Sequence, residues 1–257
     1  MIADCATCGL FSFQPNPGIC VHTHRPGGLV ITERALALCD LPERARLLDV
    51  ACGAGATVNF LSSKAGLKVM GLDRSGKALS GIQGKPIRLN LVRSDLLNIP
   101  MAPEYFDGVF MECALSLTGE PLNSLLEIRR VLKPGGKIVI TDVYLREVMT
   151  ETIQRVLAGS ACLAGAMTQD EVEEVIAAAG LTRLVWEDHS PLLKQWMVEQ
   201  IFRLGSVSGL FRQLTRGNEQ NEGATQALSR VRLGYYLAIL EKPLSFESQE
   251  VHDGRSV

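Results

Sequence analysis

The chain is 257 residues long, 46% hydrophobic and 21% charged. That is enough for one sizeable core and too apolar for a disordered tail. Its 26 basic and 28 acidic residues leave a net charge of −2, without the basic excess of a dedicated nucleic-acid binder.

No stretch approaches the ~18 uninterrupted apolar residues of a membrane span. The opening Met1-Ile2-Ala3-Asp4-Cys5 lacks the basic start and apolar run of a secretion signal. Seven scattered cysteines, an odd number, fit reduced thiols in a cytoplasm better than a disulfide framework.

Residues 1–28 stand apart as a cysteine-bearing N-terminal cap, with three cysteines, two histidines, three prolines and no sustained period. A helix is predicted over 29–39. Strands and helices then alternate. Residues 46–51 form a short apolar run ending in glycines, a buried strand. A helix over 57–65 is ended by Gly66, and a second strand covers 68–73. Residues 87–94 and 106–112 give the third and fourth strands. Pro121 opens a helix with Leu122, Leu125, Leu126 and Leu132 on its apolar face, stopped by Pro134-Gly135-Gly136. A fifth strand covers 137–142. Thr168-Gln169-Asp170-Glu171 is a capping box for a helix burying Val172, Val175, Ile176 and Ala179. A sixth strand covers 183–187, a helical insertion 191–232 and a seventh strand 233–240. The main domain is read as 29–243, with a polar tail over 244–257.

This alternation predicts an α/β, Rossmann-like fold: a seven-stranded, mostly parallel sheet covered by helices on both faces. Ligands of such sheets sit beyond the carboxyl ends of the strands, at the switch in strand order. The first strand runs into Asp49-Val50-Ala51-Cys52-Gly53-Ala54-Gly55-Ala56-Thr57. Glycines spaced by one residue allow a tight turn and close backbone approach to a ligand. Dinucleotide-binding proteins share that feature. However, Val58 holds the position where their fingerprint wants glycine or alanine, and Asp49 would repel a pyrophosphate on the following helix. Asp49 suits an ammonium or sulfonium instead. Asp73 ends the second strand and can accept both hydroxyl hydrogens of a ribose. Asp95, after the third strand, is placed to accept from an adenine amino group. Three acids around a phosphate-free adenosine fit S-adenosylmethionine. Ala51, Arg74, Leu96 and Glu112 flank these positions and join the candidate cofactor set.

Residues 47–57 resemble the first motif of class I S-adenosylmethionine-dependent methyltransferases of the small-molecule type 11 group. Residues 106–112 resemble that group's fourth-strand motif, and 127–137 its helix–turn–strand signature. The resemblance is specific over about residues 30–145 and extends more loosely to Leu240. It implies cofactor roles for Asp49, Gly53, Gly55, Asp73, Asp95 and Leu96, and a structural turn at 132–137.

Methyl transfer from a sulfonium needs position more than acid–base chemistry, and no catalytic triad is visible. Glu112 and Cys113 lie just beyond the fourth strand; Glu112 is a candidate base and Cys113 a candidate catalytic or packing residue. Arg25 could reach the cofactor's carboxylate or belong to a rigid turn. Cys5 and Cys8 form a C-x-x-C that Cys20, His22 and His24 could complete as a zinc site; free thiols or a reversible disulfide are the alternatives. Residues 160–166 resemble the segment around an arsenic-binding cysteine of arsenite methyltransferases, with Cys162 at the matching position.

The expectation is a cytoplasmic methyltransferase acting on a small molecule, with no nucleic-acid or membrane partner; a homodimer stays open. An arsenite or thiophile methyltransferase using Cys162, a non-catalytic cofactor-binding protein with a metal-binding cap, and a dinucleotide oxidoreductase are the alternatives.

Overall fold

The computed structural model describes residues 23, 25–64, 66–80, 89–151, 154, 161–214 and 231–244. The expected metal ligands Cys5, Cys8, Cys20, His22 and His24 lie outside the described residues, as does the side chain of Cys162.

One sheet organises the molecule. Strands β1 (Arg46–Val50), β2 (Lys68–Asp73), β3 (Leu91–Arg93), β4 (Phe106–Glu112), β5 (Leu132–Leu145), β6 (Thr182–Asp188) and β7 (Leu233–Glu241) lie in the order β3-β2-β1-β4-β5-β7-β6. The first five pair in parallel, and β7 runs antiparallel to both β5 and β6. The chain steps outward from β1 to β3, then returns to β4 on the other side of β1. The switch point therefore lies between β1 and β4.

Leu47 and Leu48 are both fully buried, because helices cover both faces. Side-chain alternation splits the core in two. On one face Leu48, Val50, Leu72, Val109, Met111, Ile138 and Ile140 pack with helices α4 (Pro121–Val131) and α6 (Gln169–Ala178). On the other, Leu47, Val69, Phe110, Val139, Tyr235 and Ile239 pack with α1 (Gly28–Leu38) and α2 (Ala56–Ser62). Helix α7 (Ser190–Leu204) lies on this second face through Leu193. The capping box forms as expected: Thr168 and Glu171 exchange side-chain and backbone hydrogen bonds.

Several expectations change. The third strand, expected over 87–94, is described as Leu91–Arg93, an edge strand paired on one side only, and residues 87–88 lie outside the described residues. Helix α4 ends at Val131, before Pro134-Gly135-Gly136, and Leu132 is already extended and paired with Phe106. Its buried face is Ser124, Leu125, Ile128 and Val131, while Leu122 and Leu126 are exposed. The insertion expected over 191–232 is described as α7 followed by α8 (Val207–Leu214), with 231–232 outside any helix.

Val58, at the position where a dinucleotide fingerprint wants glycine or alanine, is fully buried. The space comes from the strand instead. A Cβ at Gly71 would stand 2.7 Å from Val58 Cγ2, 2.6 Å from Leu91 Cδ2 and 2.8 Å from Cys52 Sγ. The small residue needed for close helix–strand packing has moved from the helix to β2. Gly71→Ala should therefore lower stability by about 1–3 kcal/mol, read as a lower urea midpoint, whereas Ala78→Gly in the short helix α3 (Gly76–Ser80) should lower it by less than ~1 kcal/mol.

Candidate active site

Beyond the carboxyl ends of β1, β2 and β4 lies a cavity of about 400 Å³. Ala51, Asp73, Arg74, Asp95, Leu96 and Cys113, all candidates from the sequence, line it together. The loop after β4 completes the wall with Leu117, Thr118 and Glu120. Ala51 and Cys113, at the ends of β1 and β4, both hold a left-handed backbone, with φ of +54° and +51°. Such a conformation costs a non-glycine residue ~1–3 kcal/mol. Both strands thus turn sharply where the switch point opens.

The glycine loop is tied to Asp73. Gly53 N–H donates to Asp73 Oδ2 at 2.8 Å, and Ser75 N–H donates to Oδ1 at 2.8 Å. Each carboxylate oxygen accepts twice, so Asp73 keeps acceptor capacity toward the cavity. A Cβ at Gly53, whose φ is +55°, would meet nothing within 4 Å. The loop backbone thus faces open space. Gly55, at φ +72°, turns the chain into α2. Asp95 Oδ1 accepts from Leu97 N–H at 2.9 Å, so its turn-forming role and an exposed second oxygen coexist.

Asp49 lies beneath this loop. It is buried, and its Oδ2 finds no hydrogen-bond partner among the described residues. Burial, and next the negative Glu112, push its carboxyl well above the usual range, against the pull of Arg25. In register, Asp49 faces Phe110. Glu112, two residues on, therefore projects to the same face, toward α1 and α2.

Glu112 differs most from its expected role as a base. Its Oε1 accepts from Thr32 Oγ1 at 2.7 Å and its Oε2 from Thr57 Oγ1 at 2.6 Å. Arg25 Nη2 lies 2.7 Å from the same Oε2, with the two side chains only 12% and 2% exposed. Arg25 Nη2 also donates to both threonines, at 2.7 and 2.9 Å. A carboxylate so saturated is no free proton acceptor. It joins the segment before α1, α1 itself and α2 to the end of β4. Arg25, expected either at the cofactor or in a turn, is held in this cluster, and its buried Nε has no hydrogen-bond partner among the described residues.

Cys113 sits at the cavity edge, with its sulfur 3.2 Å from Tyr235 Oη, which in turn donates to Thr141 Oγ1 at 3.1 Å. Tyr235 and Thr141 carried no local sequence signal, since both belong to buried strands. Asp142 was legible only as the end of a strand. It is fully enclosed and accepts from the backbone and hydroxyl of Ser116, both at 2.9 Å. Burial pushes its carboxyl up to about 6, despite these donors. It anchors the turn that leads into the cavity wall. Among the described residues no group of three His, Cys, Asp or Glu could hold a metal.

An unsatisfied buried acceptor at Asp49, a loop open to close approach and two further carboxylates at the rim fit a ligand that is cationic near Asp49 and rich in donors near Asp73. Residues 48–140 match the family model described as methyltransferase domain. The matched stretch holds the glycine loop and the acids at 49, 73, 95 and 112. Over 189 residues it is 24% identical to methyltransferase GfsG of Streptomyces halstedii, covering 70% of this chain and 68% of that one. It is 36% identical over 119 residues to a demethylmenaquinone methyltransferase of Renibacterium salmoninarum, covering 44% of this chain and 49% of the relative. The matched stretch thus spans about half of that relative. Among solved structures, the [4+2]-cyclase SpnF superposes with a TM-score of 0.65 at 24% identity, covering 84% of this chain and 82% of SpnF. The Haemonchus contortus phosphoethanolamine N-methyltransferase 2 superposes with a TM-score of 0.67 at 21% identity, covering 85% of this chain and 53% of that enzyme.

Two outcomes follow from the charges. Glu112→Gln leaves the Arg25 guanidinium buried without its counter-charge. Stability should fall by ~3–5 kcal/mol in urea unfolding, and the double variant with Arg25→Met should recover part of that loss. Burial raises the proton affinity of Asp49 in the ligand-free site, and a cation favours its ionised form. Binding S-adenosylmethionine should therefore release a proton, with affinity rising with pH until Asp49 is ionised in the free protein. Calorimetry in two buffers of different ionisation enthalpy reads that release. Asp49→Asn should abolish it and weaken binding by ~10–100-fold.

Proposed function

We propose that the protein transfers the methyl group of S-adenosylmethionine to a small, mainly apolar acceptor. The observation that carries this reading is the buried, unpartnered Asp49 oxygen beneath the glycine loop. A positively charged ligand satisfies it, and the pyrophosphate of a dinucleotide would not.

Asp73 keeps lone pairs for ribose hydroxyls while fixing the loop through Gly53. The free oxygen of Asp95 serves an adenine amino group. Leu72, Leu96 and Leu97 in the cavity wall offer apolar cover for the base. When bound, the cofactor supplies a methyl group on a sulfonium with a neutral thioether leaving group. The chain's own part is position, which can account for ~7–11 kcal/mol of the barrier. With Glu112 committed to Thr32, Thr57 and Arg25, the acceptor must present its nucleophilic lone pair without help from that carboxylate.

The relatives' names support a small-molecule acceptor: they include demethylmenaquinone and 24-methylenesterol methyltransferases. The fold alone does not decide the reaction, since one structural neighbour is a [4+2]-cyclase. No helix among the described residues is long and apolar enough to cross a membrane.

Titration calorimetry with S-adenosylhomocysteine tests the cofactor. The wild type should bind it, and Asp73→Ala should weaken binding by at least ~10-fold, the value of one or two lost charge-assisted hydrogen bonds. Radiolabelled methyl transfer from S-adenosylmethionine into a solvent-extractable product, over a panel of hydroquinones and phenols, tests the reaction. Equal binding by wild type and variant would overturn the reading.

A further inference from the structure

Cys113 follows β4 directly and holds its left-handed backbone, φ +51°, against two contacts from β5 and β7. Its N–H donates to the Thr141 carbonyl at 2.6 Å. Its sulfur lies 3.2 Å from Tyr235 Oη. A non-glycine residue stays in such a conformation only where its surroundings over-determine it. From this turn the chain continues through Ala114, Leu117 and Thr118, which line the cofactor cleft together with Cys113.

Tyr235 makes its contact from two strands away. On β7 it faces Val143 of β5, and Thr141 stands two residues earlier on the same face. Strands β7 and β4 flank β5, so their backbones are roughly 9–10 Å apart. A side chain on β7 has to cross β5 to reach the end of β4, and a tyrosine is long enough to do so with its hydroxyl. The residue is fully buried. Its backbone is fixed as well: its N–H donates to Ser190 Oγ at 3.2 Å, and its carbonyl accepts from His189 N–H at 2.7 Å.

The ring and the hydroxyl do different things here. A phenylalanine ring would fill the same space in the core. The hydroxyl has one hydrogen to give, and burial pushes its pKa well above the ordinary tyrosine value, so it keeps that hydrogen. With the hydrogen given to Thr141 Oγ1 at 3.1 Å, the thiol of Cys113 is the donor to Tyr235 Oη. Thr141 therefore holds Cys113 twice, directly through its carbonyl and indirectly through the tyrosine.

We propose that Tyr235 is a positioning residue for cofactor binding: through Cys113, its hydroxyl holds the left-handed turn after β4 in the shape that the cleft requires. This rests on the methyltransferase reading above. Without the hydroxyl the turn relaxes toward an ordinary backbone and carries the wall at Ala114 and Leu117 with it.

Titration calorimetry with S-adenosylhomocysteine, in a double-mutant cycle, tests the link. Tyr235→Phe and Cys113→Ala should each weaken binding by about tenfold, the value of one hydrogen bond. The double variant should be no more than about twofold weaker than the weaker single variant, because both changes remove the same contact. Cys113→Ser keeps a donor for Tyr235 Oη and should stay within about threefold of the wild type. In the Tyr235→Phe background the serine should do no better than the alanine.

Urea unfolding shows that each ligand-free variant is folded at the titration temperature. Lower urea midpoints with unchanged affinities mean that the hydroxyl serves the core alone, and the inference falls. A double variant about 100-fold weaker than the wild type is additive and also overturns it, while the cofactor reading stands. Should Tyr235→Phe fail to fold, equal affinities of Cys113→Ser and Cys113→Ala overturn the inference. A wild type that does not bind S-adenosylhomocysteine overturns the methyltransferase reading and this inference together.

Discussion

A carboxylate enclosed at the end of a parallel strand has to be matched donor for donor, and Glu112 is matched by Thr32, Thr57 and Arg25. That requirement organises the working end of the molecule. Thr57 belongs to the first turn of α2, directly after the glycine loop. Thr32 belongs to α1, and Arg25 to the chain before it. One buried charge thereby holds three separate segments in a single arrangement above β4. Leaving any of the donors or the charge unpaired in that environment would be costly. Arg25 of this cluster also lines a cavity between the chain before α1 and helix α7.

Asp49 stands beside it in the opposite condition. Glu112 is satisfied and Asp49 is not, although both lie on the same face of neighbouring strands. Burial and the neighbouring Glu112 raise the proton affinity of Asp49, against the pull of Arg25. The imbalance stores a preference for a cation. The backbone contributes similarly at Ala51 and Cys113, where adjacent strands β1 and β4 end in left-handed turns. Side-chain charge and backbone conformation both depart from their comfortable states at the switch point, where a parallel sheet binds its ligand.

A different acid supports the far wall. Asp142 is buried near the carboxyl end of β5 and receives the backbone and hydroxyl of Ser116 and the backbone of Val143. Gly165 presses against the same turn: a Cβ there would meet the Ser116 carbonyl at 2.2 Å. The loop after β4 is therefore fixed from beneath by a carboxylate and from the side by the segment that follows the short helix α5 (Ala161–Ala164).

Much of this was legible along the chain. Short apolar runs ending in Gly or Asp marked the strands, and their alternation with helices implied the sheet. The capping box at Thr168 and Glu171 formed because both its partners lie within one turn of each other. The acids at 49, 73 and 95 follow from strand ends, which local pattern locates. What the sequence did not disclose was which distant groups meet. Glu112 looked like a base because its matching donors lie 55 and more positions away. Helix α4 looked amphipathic on Leu122 and Leu126, yet Ile128 and Val131 face the sheet, since packing rather than the leucine count selects the buried stripe. Glycine at 71 serves a valine at 58 across the helix–strand contact. Periodicity and capping are short-range and repeat in the chain itself; charge pairing, orphaned polar atoms and cavities arise between segments, and only the packed sheet brings those segments together.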